Sequence, residues 1–150
     1  MSTSQSFTAS FTVEQTPSEV FSSINNVRGW WTGEIEGDTD EVGDEFTYIY
    51  PGHHYSRQKV VELVPGEKVA WHVVDSLLKG PADPSEWTGT DIIFDIRALD
   101  DGTEVRFSHR GLIPSFECFD DCSGGWGFFV HSSLKRLIAT GEGPTPPPWE

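Results

Sequence analysis

The feature that most constrains the fold is a change in the spacing of apolar residues along the chain. Through the middle, between residues 46 and 111, bulky apolar side chains alternate with polar ones, as in strands with one buried face. From Trp126 to Ile138 they recur every three or four residues instead, which is typical of an amphipathic helix. Many strands followed by one long helix predict an α+β fold with mostly antiparallel strands.

Turn residues divide the middle of the chain into strands. Pro65-Gly66 and Asp100-Asp101-Gly102 each stand between two alternating segments, which predicts two hairpins. The acidic run of residues 34–45 is expected to be a solvated edge strand and turn, and residues 76–88 a long loop. The other predicted strands cover residues 7–13, 46–50, 55–64, 68–75, 90–99 and 104–111.

Helix signals stand near both ends of the chain. Thr16-Pro17-Ser18-Glu19 is a capping box with proline at the first helical position, and it predicts a short helix that ends around Asn25-Asn26. The long helix is expected over about residues 125–140. Gly141 is a typical helix stop, and the proline-rich residues 142–150 cannot continue a helix.

Size and charge limit the classes of partner. The 150 residues suit one domain, residues 1–150, with 142–150 as a Pro-rich tail. Ten Lys and Arg against 24 Asp and Glu give a net charge of −14, so phosphate backbones and anionic bilayers repel the chain and we expect no nucleic-acid partner. No apolar run reaches the ~20 residues of a membrane span, and no signal peptide is evident. We therefore expect a cytoplasmic protein.

The two cysteines are expected to be free, reduced thiols. Cys118 and Cys122 are four residues apart, with no second ligand pair at the spacing of a structural zinc site. Neighbouring helical turns hold Cβ atoms about 5–6 Å apart, too far for a relaxed disulfide. The chain also lacks a Gly-x-Ser-x-Gly elbow, a phosphate-binding glycine loop and a His-Glu-x-x-His motif. We expect no bound metal and no cofactor.

Several segments, taken in order, carry a resemblance to a known family. They are FTV and TPSEVF at residues 11–13 and 16–21, WW at 30–31, VVELVPGEKVAW at 60–71, GTEVRFSHRG at 102–111 and SSLKRL at 132–137. Together they resemble the START-like (SRPBCC) superfamily, and more narrowly its branch named after the activator of heat-shock protein 90 ATPase. The resemblance implies the helix-grip fold, in which a curved antiparallel β-sheet wraps around a long C-terminal helix and a cavity between them holds apolar ligands.

The cavity that the resemblance implies directs attention to the bulky residues of the strands and the long helix. Rings of this kind belong to the core by default, and any that line a cavity bind flat or lipid-like molecules by area burial. The candidate ligand-binding residues are Trp30, Trp31, Tyr48, Trp71, Phe94, His109, Trp126, Phe129 and Ser133.

His109 is the candidate catalytic residue. It shares a strand face with Val105 and Phe107, so its side chain is predicted to point into the interior. A general acid or base in an apolar cavity has this placement. An ordinary buried histidine with a backbone hydrogen-bond partner has it too.

Three functions remain open from the sequence. The first is a non-enzymatic START-like domain that binds an apolar or aromatic small molecule between the sheet and the long helix. The second is an enzyme of the polyketide cyclase or dehydratase kind that uses His109 or a cavity tyrosine. The third is a module that contacts a chaperone; because the chain begins directly at its first strand, without the activator's additional domain, we expect at most weak stimulation of heat-shock protein 90 ATPase. No oligomeric state is predicted.

Overall fold

Seven antiparallel strands form one curved sheet in the computed structural model, which describes residues 6–31, 34–39, 41–50, 54–78, 88–110 and 126–141. The spatial order within this part of the chain is β1-β7-β6-β5-β4-β3-β2, with β1 and β2 at the two edges. The strands are β1 Ser6–Val13, β2 Glu34–Gly37, β3 Glu45–Tyr50, β4 His54–Val64, β5 Lys68–Leu78, β6 Asp91–Leu99 and β7 Gly102–Arg110. The α+β class and the helix-grip arrangement are confirmed.

The first helix, α1 (Pro17–Asn25), starts at the predicted capping box. The Thr16 hydroxyl accepts a hydrogen bond from the Glu19 amide at 3.2 Å, and the Glu19 carboxylate accepts one from the Thr16 amide at 3.1 Å. Two amides that the helix itself cannot pair are thereby satisfied. A 3₁₀ turn, Val27–Gly29, then leads the chain to Trp30 and Trp31.

The two predicted hairpins are confirmed, as β4–β5 and β6–β7. The predicted acidic edge is β2, whose glutamates are exposed. Glycine is needed where β7 begins, because a Cβ on Gly102 would collide with the Val13 carbonyl oxygen of the neighbouring β1. This close approach fixes the end of β1 against the start of β7.

The predicted loop over residues 76–88 is wrong at its start, because β5 continues to Leu78. A bulge shifts the register between Arg57 and Gln58, and beyond it Ser76 pairs with Ser56 on the buried face. The extra residue breaks the alternation of two and a serine stands where an apolar residue is expected, so the pattern hides these last strand residues. Residues 79–87 lie outside the described residues.

The long helix, α2, covers residues 126–140 and confirms the expected segment. Its middle, Phe129–Leu134, is π-helical and its end, Lys135–Thr140, is α-helical. Gly141 ends it with a positive φ of 78°, and its amide bonds the Leu137 carbonyl at 2.8 Å. The buried residues of α2 are Trp126, Phe129, Val130, Ser133, Leu134, Leu137 and Ile138.

The core lies between the inner face of the sheet and the two helices. The inner face carries alternate residues of each strand, such as Val69, Trp71 and Val73 of β5, all fully buried. No helix in the described part of the chain is long and apolar enough to cross a membrane. Cys118, Cys122 and the tail at 142–150 lie outside the described residues.

Candidate ligand-binding site

All nine residues predicted for the ligand site are buried, none of them more than 6% exposed. The seven Trp, Tyr and Phe residues among them belong to one hydrophobic core cluster. Ser133 joins this interior from α2, because its hydroxyl donates to the Trp30 carbonyl at 2.6 Å. The predicted set therefore lies in one interior, and its role in binding stays a prediction.

The aromatic rings form a continuous layer from β3 to β7. Trp31 stacks on Tyr48 of β3 with 3.9 Å between ring centroids, and it also contacts the Trp126 ring of α2 at 4.9 Å. Trp126 in turn contacts Phe107 of β7 at 4.7 Å. Phe94 links this layer to the centre of the sheet, at 5.1 Å from Phe107 and 5.2 Å from Trp71. A flat molecule entering this interior meets ring faces and ring edges.

Phe46 and Phe107 belong to this layer but were not among the predicted site residues. Phe46 contacts Trp71 edge to face at 5.0 Å. The signal for both was present in the sequence, because Phe46 alternates with Tyr48 and Phe107 with His109. Strand alternation therefore finds the rings of the layer, provided every residue on the face is counted.

Five of the buried polar side chains lie together at one end of the inner face, and we call them the inner polar residues: Ser56, Gln58, Ser76, Thr90 and His109. None is more than 7% exposed. They lie toward the end of the sheet where β3, β5 and β7 finish and β4 and β6 begin. Their sequence neighbours gave no indication of a polar cluster, since it assembles from four segments of the chain.

Most of the inner polar residues bond to one another or to a neighbour. Ser76 Oγ lies 2.9 Å from Thr88 Oγ1, and Gln58 Nε2 donates to Ser56 Oγ at 2.5 Å. Thr90 Oγ1 lies 2.8 Å from Nε2 of His109. These bonds hold the hydroxyl and amide groups in fixed positions along the aromatic layer.

Both ring nitrogens of His109 are engaged by side chains. The indole N–H of Trp126 donates to His109 Nδ1 at 2.9 Å. Because an indole nitrogen only donates, Nδ1 must carry a lone pair, and the single proton of the neutral ring is on Nε2. Nε2–H therefore donates to the Thr90 hydroxyl. The lone pair that a general base needs is already used by Trp126.

Two buried polar atoms beside the rings have no hydrogen-bond partner within the described part of the chain. They are the indole nitrogen, Nε1, of Trp71 and the side-chain oxygen, Oε1, of Gln58. Both residues are fully buried. Gln58 is opposite Val73 and Trp71 is opposite Val60, so the two side chains are diagonal neighbours on the same face.

A separate groove of about 400 Å³ lies at the surface, where α1 ends. Its lining includes Asn25, Arg28 and Asp38, and none of the nine predicted residues. The Arg28 guanidinium is occupied in holding the edge strand, because it donates to the carbonyls of Ile35 and Gly37 at 3.1 and 2.9 Å. The groove is therefore no part of the predicted interior site.

The arrangement is the helix-grip fold that the resemblance implied. The chain is similar to the Aha1 dimer subunit of Colwellia psychrerythraea, with 24% identity over 92% of this chain and 98% of that one, and a TM-score of 0.74. At 24% identity this likeness shows a shared fold. No family model and no curated protein matches the sequence.

Two further similar structures are larger proteins. CalU16 from Micromonospora echinospora is 18% identical, over 96% of this chain and 78% of CalU16, with a TM-score of 0.63. DynU16, a protein of the dynemicin biosynthetic locus, is 15% identical over 92% of this chain, with a TM-score of 0.69. The chain spans about half of DynU16, 48% of its length. At these identities the likeness shows the fold alone.

Proposed function

We propose that the protein binds a small aromatic or apolar molecule between the sheet and α2, without catalysing a reaction on it. The observation that carries the proposal is the composition of the inner face, where five buried polar side chains stand beside a layer of aromatic rings. Burying polar groups is unfavourable, and a core that serves stability alone is filled with apolar side chains. Ligand sites combine apolar walls with a few placed polar groups in this way.

The enzymatic alternative, of the polyketide cyclase or dehydratase kind, is supported by the fold shared with DynU16 of a biosynthetic locus. It requires a group that exchanges a proton with the substrate. His109 was the candidate, but Trp126 and Thr90 engage its two ring nitrogens. The geometry of the described residues therefore favours binding over acid–base catalysis by His109.

A chaperone-contacting module is the third candidate, and the fold shared with Aha1 supports it. A net charge of −14 suits only a basic partner face. We expect at most weak stimulation of heat-shock protein 90 ATPase by the purified protein, and saturable activation at micromolar concentration would overturn this expectation. We further expect the protein to act in the cytoplasm.

Native mass spectrometry of freshly purified protein, followed by thermal denaturation with flavonoids, polyketides and fatty acids, tests ligand binding. A ligand at 100 times its Kd stabilises the fold by about 2.7 kcal/mol. For a chain of this size, that corresponds to a rise in Tm of roughly 5–10 °C. We expect a bound compound or such a rise with an aromatic member of the panel.

Two variants separate specific binding from general stabilisation. Thr90→Val removes an inner hydroxyl at nearly constant shape and is expected to reduce the rise in Tm. Thr12→Val makes the same change on β1 at an exposed position and serves as the matched control. If no compound co-purifies and no member of the panel changes Tm, the binding proposal fails.

A further inference from the structure

Two buried polar atoms on the inner face lack hydrogen-bond partners among the described residues, and their chemistry indicates which groups a ligand would need in order to pair with them. Trp71 offers an indole N–H, which can only donate, and Gln58 offers a carbonyl oxygen, which can only accept. Neither atom has a hydrogen-bond partner in the part of the chain that the structure describes, although both residues are fully buried. Buried polar groups are almost always paired in folded proteins, so each such atom calls for a specific explanation.

The positions of the two atoms suit a single small molecule. Gln58 and Trp71 are diagonal neighbours on adjoining strands, a separation that side chains and a fused ring system can span. The Gln58 amide is tied to Ser56 through its nitrogen, which turns the oxygen away from that bond. Across the strand pair, Phe46 stands opposite Gln58 and contacts Trp71.

The rings around Trp71 select for a flat molecule. The Trp71 plane is nearly parallel to those of Trp30 and Trp31, at 12° and 4°. Parallel ring faces favour a planar guest, because an aromatic molecule stacks on them while a flexible chain loses conformational freedom there.

The charge distribution selects for a neutral molecule. The inner polar residues hold no Lys or Arg, and every Lys and Arg side chain that the structure describes is partly or fully exposed. A buried carboxylate without a cationic partner is strongly disfavoured. The interior thus disfavours fatty acids among the candidate ligands.

We propose, building on the proposed function, that the ligand is a neutral, planar aromatic molecule that accepts a hydrogen bond from Trp71 and donates one to Gln58. Aromatic lactams and hydroxylated aromatic ketones have this chemistry. The acceptor on the ligand is a carbonyl oxygen, and the donor is an N–H or O–H on the same ring system.

Four fused bicyclic compounds of nearly equal size test the proposal. Indane has neither group, 1-indanone has only the acceptor, indole has only the donor, and oxindole has both. Titrations followed by NMR are expected to rank the affinities as oxindole first, 1-indanone and indole next, and indane last. Each completed hydrogen bond is expected to raise the affinity about two- to tenfold.

Two variants test which protein atom pairs with which group of the ligand. Trp71→Phe is expected to abolish the advantage of 1-indanone over indane, and Gln58→Met that of indole over indane. Thr12→Val is the control, because Thr12 is exposed on β1 and lies outside the inner face. It is expected to leave both ratios unchanged. Ratios of two ligands on the same variant cancel the effect of the smaller ring on pocket size.

A measurement on the unmodified protein covers the case in which a variant does not fold. The Trp71 indole N–H resonance is expected to move on adding 1-indanone or oxindole, and to move much less with indane. Equal affinity for all four compounds would overturn this inference while leaving the proposed binding function in place. No binding by any of them or by the wider panel would overturn both.

Discussion

The indole N–H of Trp126 donates to Nδ1 of His109 over 2.9 Å, and this bond joins α2 to strand β7. Both side chains are buried, His109 completely. In the interior such a bond is strengthened by the low dielectric, and its loss leaves a costly unpaired acceptor. The bond therefore positions the helix on the sheet as well as satisfying the histidine.

Trp126→Phe is expected to destabilise the protein by roughly 1–3 kcal/mol, because Nδ1 of His109 loses its donor. Urea denaturation of the variant measures this loss. The same substitution in a His109→Phe background is expected to cost less, since no buried nitrogen remains to be satisfied. Equal costs in the two backgrounds would show that the hydrogen bond contributes nothing and that only ring size matters.

NMR of the His109 ring is expected to show the neutral tautomer with its proton on Nε2 at neutral pH. The reason is the donor from Trp126, which requires a lone pair on Nδ1. A long-range proton–nitrogen correlation spectrum distinguishes the two ring nitrogens directly. A proton on Nδ1 would contradict the proposed network and return His109 to the list of candidate acids.

Thr16→Ala is expected to lower the free energy of unfolding by about 0.5–2 kcal/mol, because the capping box at the start of α1 is lost. Ser18→Ala is the matched control, since Ser18 is exposed in the same first turn and takes no part in the cap. Thermal or urea denaturation compares the two variants. If both lose the same stability, the cap is not what stabilises this end of the helix.

Two glycines of the C-terminal region are expected to respond to alanine with opposite signs. Gly141 has a φ of +78°, so Gly141→Ala forces a side chain into the left-handed region and is expected to destabilise by about 1–2 kcal/mol. Gly127 lies within α2, and a Cβ there meets no atom within 4 Å. Gly127→Ala is expected to stabilise by roughly 0.5–1 kcal/mol. Denaturation curves with the same sign for both would refute the assigned end of the helix.

Local signals predicted the elements of the fold well, because each rests on a few neighbouring residues. The capping box at Thr16 and the glycine at 141 bound the two helices, and alternation places Tyr48 and Phe94 on the inner face. The end of β5 was missed because a bulge in the β4–β5 pairing interrupts the alternation. The π-helical middle of α2 has no signal in the apolar spacing, which fits either kind of helix.

The polar part of the site could not be predicted from the sequence, because its hydrogen bonds join segments that are distant along the chain. Thr90 and His109 are 19 residues apart, and His109 and Trp126 are 17. These three side chains meet only because of the strand register and the position of α2 against the sheet. The unpaired atoms of Gln58 and Trp71 are likewise invisible to pattern analysis, since a strand position does not reveal whether a side chain finds a partner.

The pairing of β1 with β7 affects the order in which a ribosome-bound chain can fold. Val13 pairs with Thr103 and Ser6 with Arg110, so the first strand has no partner until 103 − 13 = 90 further residues have been made, and its outermost pair needs 110 − 6 = 104. At bacterial and eukaryotic rates of translation this takes about 5–20 seconds. The β4–β5 and β6–β7 hairpins need only their own short turns and can form as soon as they emerge. The strand that is synthesised first is therefore the last of the seven to join the sheet.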